Sequence, residues 1–215
     1  EDDDDDNDSV LDIDDSCVRG NLGWVSDTST TDHDGDGCQD DSSEDADDDN
    51  DGIEDSLDMC PKGDLGWISV STVTDYDSDG CRDDSSEDID DDNDGVVDPA
   101  NVQSPEEGED YCYRGNLGWL SDTSNDYDED GCRDDGEDND DDNDGVEDSL
   151  DMCPTGDLGW TSITAMNDYD SDGCQDDSSE DADDDNDGVV DPVDVQSPID
   201  GEDYCYRGLL NWVSS

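Results

Sequence analysis

Aspartates at alternate positions, closed by a glycine, recur along this chain, and that spacing is what a hard divalent cation needs. Calcium takes about six to eight oxygen ligands, and an acidic loop supplies them from positions 1, 3, 5, 7 (a backbone carbonyl), 9 and 12, with glycine at 6 for the sharp turn. One class of loop sets Asp47, Asp49, Asp51, Asp55 and Asp58 on that template, with Gly52 at the turn and the Ile53 carbonyl at position 7. Asp140, Asp142, Asp144, Val146, Asp148 and Asp151 repeat it, as do Asp183, Asp185, Asp187, Val189, Asp191 and Asp194. Asp90, Asp92, Asp94, Val96 and Asp98 also fit, with Asn101 at position 12. Asp4, Asp6, Asp8, Asp12 and Asp15 complete the class, although Ser9 stands where the others carry glycine.

A second class carries a cysteine at position 7. Its members are Asp32, Asp34, Asp36, Cys38 and Asp40; Asp75, Asp77, Asp79, Cys81 and Asp83; Asp126, Asp128, Asp130, Cys132 and Asp134; and Asp168, Asp170, Asp172, Cys174 and Asp176. In the third of these Glu137 falls at position 12, as in an EF-hand loop, whereas an extra serine elsewhere moves Glu44, Glu87 and Glu180 to position 13. A single DxDxDG arises by chance in so acidic a chain. Nine phased loops, eight of them with glycine in register, do not.

The loops must be positioned without an ordinary core. The 215 residues include 75 Asp plus Glu against 6 Lys plus Arg, for a formal net charge of −69, and only 27% are apolar. Fixing the backbone costs on the order of 1 to 2 kcal/mol per residue, and such a composition is by default disordered. That charge repels nucleic acid and anionic membrane and selects cations as partners.

Nine cysteines, 20 to 31 residues apart, fit disulfides in an oxidising compartment, so an extracellular or cell-surface location is expected. Pairing Cys17 with Cys38, Cys60 with Cys81, Cys112 with Cys132 and Cys153 with Cys174 keeps the separation at 20 or 21, while the intervening separations vary from 21 to 31. Cys205 is left over, and its expected partner is a cysteine beyond Ser215 or in another chain. No apolar run is long enough to span a bilayer, and any signal peptide is expected to have been removed.

Self-similarity divides the chain at Glu1, Glu44, Glu87, Glu137 and Glu180 into repeat units 1–43, 44–86, 87–136, 137–179 and a partial fifth, 180–215. Trp24, Trp67, Trp119, Trp160 and Trp212 mark one place in each, with Asn211 replacing the usual preceding glycine in the last. Units three and five carry an insert, VVDPANVQSPEEGEDYCYRG and VVDPVDVQSPIDGEDYCYRG, so the longer repeat is a pair of units. Ending in mid-unit, the sequence reads as a window on a longer array.

The run DDDNDGIEDSLDMCP ending at Pro61, and DDDNDGVEDSLDMCP ending at Pro154, resembles the thrombospondin type 3 repeat. The resemblance covers the acidic loops and cysteines of every unit but neither the Gly-Trp segment nor the insert. It implies that the aspartates named above hold Ca²⁺, that the chain wraps the ions with little regular secondary structure, and that disulfides tie successive motifs.

The fold expected is therefore a mostly irregular, loop-rich, calcium-stabilised tandem repeat, an elongated solenoid-like array with disulfides, a few short β-strands and little or no helix. One tryptophan per unit beside a cysteine reads as the unit's small core rather than a sugar platform. His33 is the sole histidine and stands where other units have Tyr76, Tyr127 and Tyr169, so it reads as a loop side chain, and no catalytic constellation is visible. Arg19, Lys62, Arg82, Arg114, Arg133 and Arg207 all lie within two positions of a cysteine, which suggests internal carboxylate partners. The expected role is structural: a rigid extracellular stalk or filament, self-associating and loaded with at least one Ca²⁺ per loop. The second reading is a calcium-dependent adhesion module whose binding face is the insert tyrosines Tyr111, Tyr113, Tyr204 and Tyr206.

Overall fold

A computed structural model describes residues 2–106, 108–176, 178–192 and 201–208. Asp194, Asn211, Trp212 and most of the second insert lie outside the described residues. Among those described there is no helix, and the only β-pairing is two isolated bridges, Ser71 with Asp75 and Thr164 with Asp168. Among the described residues no helix is long and apolar enough to cross a membrane. Turns and bends make up the rest, as expected where aspartate and glycine dominate and hydrophobic periodicity is missing.

The chain gathers into two compact units. The first comprises Glu1–Ser104 with Leu117–Trp119, and the second Pro105–Asn116 with Leu120–Ser215. The first holds the disulfides Cys17–Cys38 and Cys60–Cys81, and the second holds Cys112–Cys132 and Cys153–Cys174. These are the pairs with constant separation, and each closes a loop worth about 3 kcal/mol in the chain-entropy description. Cys205 is free and exposed.

Each disulfide ties a second-class loop to the segment that follows a first-class loop, and backbone bonds reinforce the tie. The N–H of Ser16, Met59, Tyr111 and Met152 donates to the carbonyl of Asp36, Asp79, Asp130 and Asp172 respectively, at 2.7–2.8 Å. First-class loops are pinned in the same manner to the segment after the tryptophan, where Ser26, Ser69 and Ser162 donate to the carbonyls of Asp8, Asp51 and Asp144. These single bonds replace the ladders of a sheet.

The interior is inverted relative to an ordinary domain. Among the described residues the buried apolar ones are Cys38, Trp67, Cys81, Cys132 and Cys174, whereas every fully enclosed large side chain is an aspartate. Trp24, Trp119 and Trp160 are only half-buried, so among the described tryptophans the expected core is realised at Trp67 alone. An enclosed carboxylate is costly unless something pairs with it, and the chain offers few cations of its own.

Candidate metal centres

All nine loops close through the same hydrogen bonds. The amide at position 6 donates to the position-1 carboxylate, as from Gly52 to Asp47 and from Gly188 to Asp183, at 2.8–3.4 Å across the set. The amide at position 7 donates to position 5, as from Ile53 to Asp51 and from Cys132 to Asp130, at 2.7–3.0 Å. The amide at position 2 donates to position 9, as from Asp48 to Asp55 and from His33 to Asp40, at 2.8–3.2 Å. Ser9 holds a left-handed φ of 85° and donates to Asp4 like its glycine counterparts, so the first loop closes despite its substitution.

In the loops of Asp47 and Asp140 these bonds leave one oxygen of the position-1 and position-5 carboxylates without a donor, whereas Asp32, Asp75, Asp126 and Asp168, at position 1 of the second class, accept amides on both oxygens. The ligand oxygens of Asp47, Asp49 and Asp51 lie within 4.8 Å of one another, as do those of Asp4, Asp6 and Asp8, of Asp32, Asp34 and Asp36, and of Asp75, Asp77 and Asp79. Asp47 Oδ1, Asp51 Oδ2 and Asp58 Oδ2, from positions 1, 5 and 12, are all sealed from solvent and accept no hydrogen bond. Asp140 Oδ1, Asp144 Oδ2 and Asp151 Oδ2 repeat that arrangement in the fourth unit. Among the described residues none donates to the position-7 carbonyls of Cys38, Ile53, Cys81, Val96, Cys132, Val146, Cys174 or Val189.

Crowding of unpaired charge raises the carboxyls. Burial first, then Asp49, Asp51 and Asp47, pushes Asp58 up to about 7. Burial, then Asp142, Asp151 and Asp140, does the same to Asp144. Asp77, Asp128 and Asp170, at position 3 of second-class loops, reach about 7 through burial and then Asp79, Asp130 and Asp172 respectively. Asp98 is pushed to about 8 by burial and by Asp91 beside it. A divalent cation would remove this penalty at every position, and the donor set, oxygen throughout, fits calcium rather than a metal that prefers nitrogen or sulfur.

Two expectations change. Glu137 does not close its loop at position 12: its carboxylate accepts the amide and side-chain N–H of Asn116, both at 2.9 Å, and abuts Gly115. Glu44, Glu87 and Glu180 turn in the same way onto the amides of Asn21, Asp64 and Asp157. The neighbour of each Glu faces the loop instead: Asp45, Asp88, Asp138 and Asp181 have one buried oxygen without a hydrogen bond, near Asp36, Asp79, Asp130 and Asp172.

Asn101 is also displaced, being exposed and bonded to the Gln103 amide. Asp110 Oδ1 accepts the Cys112 amide at 2.6 Å just as Asp15, Asp58 and Asp151 accept those of Cys17, Cys60 and Cys153. Asp203 stands likewise before Cys205. Each of Asp15, Asp58, Asp110 and Asp151 lies against the turn glycine of the next loop, where a Cβ on Gly37, Gly80, Gly131 or Gly173 would meet carboxylate oxygen at 2.2–2.3 Å. The signal for Asp110 and Asp203 is the spacing Asp-x-Cys, common to all five units.

Asparagine at position 4 of the first-class loops was the other residue missed. Asn50, Asn93, Asn143 and Asn186 adopt a φ of 51–57°, which asparagine tolerates. Each donates its side-chain amide to two carboxylates of the preceding loop, Asn50 to Asp34 and Asp36 and Asn143 to Asp128 and Asp130. His33 behaves as its tyrosine counterparts do: its Nε2 lies 3.0 Å from the Gly63 carbonyl, where Tyr127 and Tyr169 donate to Gly156 and Gly208 at 2.8 and 2.9 Å. Compared with known proteins, the chain matches no family model and no curated sequence.

Proposed function

We propose that this chain is an extracellular calcium-binding structural repeat protein, a rigid stalk or filament in which metal ions take the part of a hydrophobic core. The observation that carries the reading is the set of sealed carboxylate oxygens at positions 1, 5 and 12, Asp47, Asp51 and Asp58 in one loop and Asp140, Asp144 and Asp151 in another, that no donor reaches. An ionised carboxylate in that state costs several kcal/mol, and an ion bound only by the folded chain stabilises it by mass action. The position-1, -3, -5, -9 and -12 carboxylates and the position-7 carbonyl hold the ion. The thrombospondin type 3-like spacing agrees with this assignment, and the four disulfides agree with an oxidising, extracellular setting. No catalysis is assigned: the ring of His33 is engaged with the Gly63 carbonyl.

Adhesion is the second reading, favoured by the exposure of the insert tyrosines Tyr111 and Tyr204, 47% and 71%. Electron microscopy of the native material with and without EGTA tests the first. Ordered fibres that fray on chelation are the expected result, and fibres indifferent to EGTA would overturn it.

A further inference from the structure

A cation-sized place outside the DxDxDG loops recurs along the chain. At the start of the second unit it is formed by Asp45 and Asp48 with Asp40 of the first, whose ligand oxygens lie within 4.8 Å of one another. The three residues are 6%, 9% and 2% exposed. Asp45 Oδ2 and Asp48 Oδ1 are sealed from solvent and reached by no donor. The chain puts its own cation here: Lys62 Nζ lies 2.9 Å from Asp40 and 3.3 Å from Asp48. In the fifth unit the guanidinium of Arg207 does the same at the corresponding residues, 2.7 Å from Asp176 and 3.0 Å from Asp184. In the first, Arg19 meets Asp5, the counterpart of Asp48, at 3.0 Å.

Lys62, Arg207 and Arg19 all stand two residues after a cysteine, as does Arg114 in the third unit. The fourth unit has Thr155 there. Its carboxylates are nevertheless retained, with Asp134, Asp138 and Asp141 corresponding to Asp40, Asp45 and Asp48. Asp138 Oδ2 and Asp141 Oδ1 are sealed from solvent and accept no hydrogen bond. Asp148 is adjacent, its Oδ1 holding the Asp141 amide at 3.0 Å, and among the described residues no lysine or arginine forms an ion pair with Asp134, Asp138 or Asp141. We infer that a divalent cation, calcium in the native setting, binds at Asp134, Asp138 and Asp141 in the place that lysine or arginine fills in the other units.

Oxygen donors alone suit a hard ion, and Asp138 stands between this place and the loop of Asp128 and Asp130, so one carboxylate serves two ions. The chain thus substitutes a built-in cation for a metal ion, or the reverse, by one residue.

The inference rests on the reading of the acidic loops as calcium sites, and counting ions separates the two. Native mass spectrometry of the full, disulfide-intact chain in calcium-containing ammonium acetate gives the number of ions bound to wild type, T155K, T155M and K62T. T155K is expected to hold one calcium fewer than wild type, T155M the same number, and K62T one more. The K62T gain decides the matter if T155K fails to fold. Loaded loops with equal counts in wild type, T155K and K62T would overturn this site alone, as would loss of the ion in T155M. A wild-type chain that holds no calcium would overturn both readings.

Discussion

Replacing Asp144 by asparagine should stabilise the chain without calcium and destabilise it with calcium. Asp144 is wholly enclosed; its Oδ1 accepts the Val146 amide at 2.7 Å and its Oδ2 accepts nothing. Asparagine keeps the first bond and turns an N–H₂ donor toward Asp142, Asp151 and Asp140, the carboxylates that help push Asp144 up to about 7. At pH 8 the calcium-free fold must hold that carboxyl ionised. A displacement from 3.8 to about 7, at about 1.36 kcal/mol per pH unit, corresponds to roughly 4 kcal/mol, and to nearer 2 where water enters the loop. D144N should recover most of that.

The sign fixes the pH window. A carboxyl whose folded value lies above its unfolded one imposes no penalty below about pH 4, and stability is lost as pH rises toward 7. The advantage of D144N should therefore vanish at pH 4. In about 10 mM calcium the order reverses, because a site with a dissociation constant of about 0.1 to 1 mM contributes roughly 1 to 3 kcal/mol that the variant forfeits. Urea unfolding followed by tryptophan fluorescence measures both, with trimethylamine N-oxide present in the EGTA arm to hold the chain folded. A variant less stable than wild type in EGTA at pH 8, or unaffected in calcium, would refute the reasoning.

Other substitutions test how the loops are joined. Gly80 has a φ of 91° and an added Cβ would lie 2.2 Å from Asp58 Oδ1, whereas Gly66, at 81°, has nothing within 4 Å. G66A should cost about 1 kcal/mol for its backbone alone and G80A about 1 to 3 more in thermal unfolding with calcium; equal losses would mean that Asp58 does not pack on the turn. N50G keeps the left-handed backbone but removes the donor to Asp34 and Asp36, and should raise the calcium concentration needed for half-folding, with N50A worse by about a further 1 kcal/mol. H33Y should be neutral, as in the units that carry tyrosine, while H33F loses the contact with the Gly63 carbonyl and about 1 kcal/mol in urea titration.

What the sequence made legible was local. Oxygens at positions 1, 3 and 5 converge because the intervening backbone is short and the turn at Gly52 or Gly145 is dictated by one residue, so spacing alone locates them. The disulfides were legible for a related reason: a constant separation such as that of Cys60 and Cys81 reflects a constant local path. Position 12 is another matter. Where the insert intervenes, counting along the chain from Asp90 gives Asn101, which is exposed and bonded to the Gln103 amide instead.

Glu137 departs from the EF-hand template because the Asn116 N–H groups, brought in through the Cys112–Cys132 bridge, draw its carboxylate toward Gly115. Asn50 and its counterparts were overlooked because their contacts reach 13 to 16 residues back into another loop. The tryptophans were overrated, since in a chain that encloses aspartate an indole has little hydrocarbon to pack against.

An interior built of aspartate also alters how the fold responds to temperature. Melting an ordinary domain wets hydrocarbon and raises the heat capacity, whereas wetting polar groups lowers it, and the curvature of stability with temperature follows from the balance. Opening the loops around Asp51, Asp75, Asp126 and Asp168 exposes carboxylate and almost no oil. The stability curve should accordingly be shallow, with no marked optimum and little weakening in the cold, so that ambient calcium rather than climate sets whether the chain holds its form.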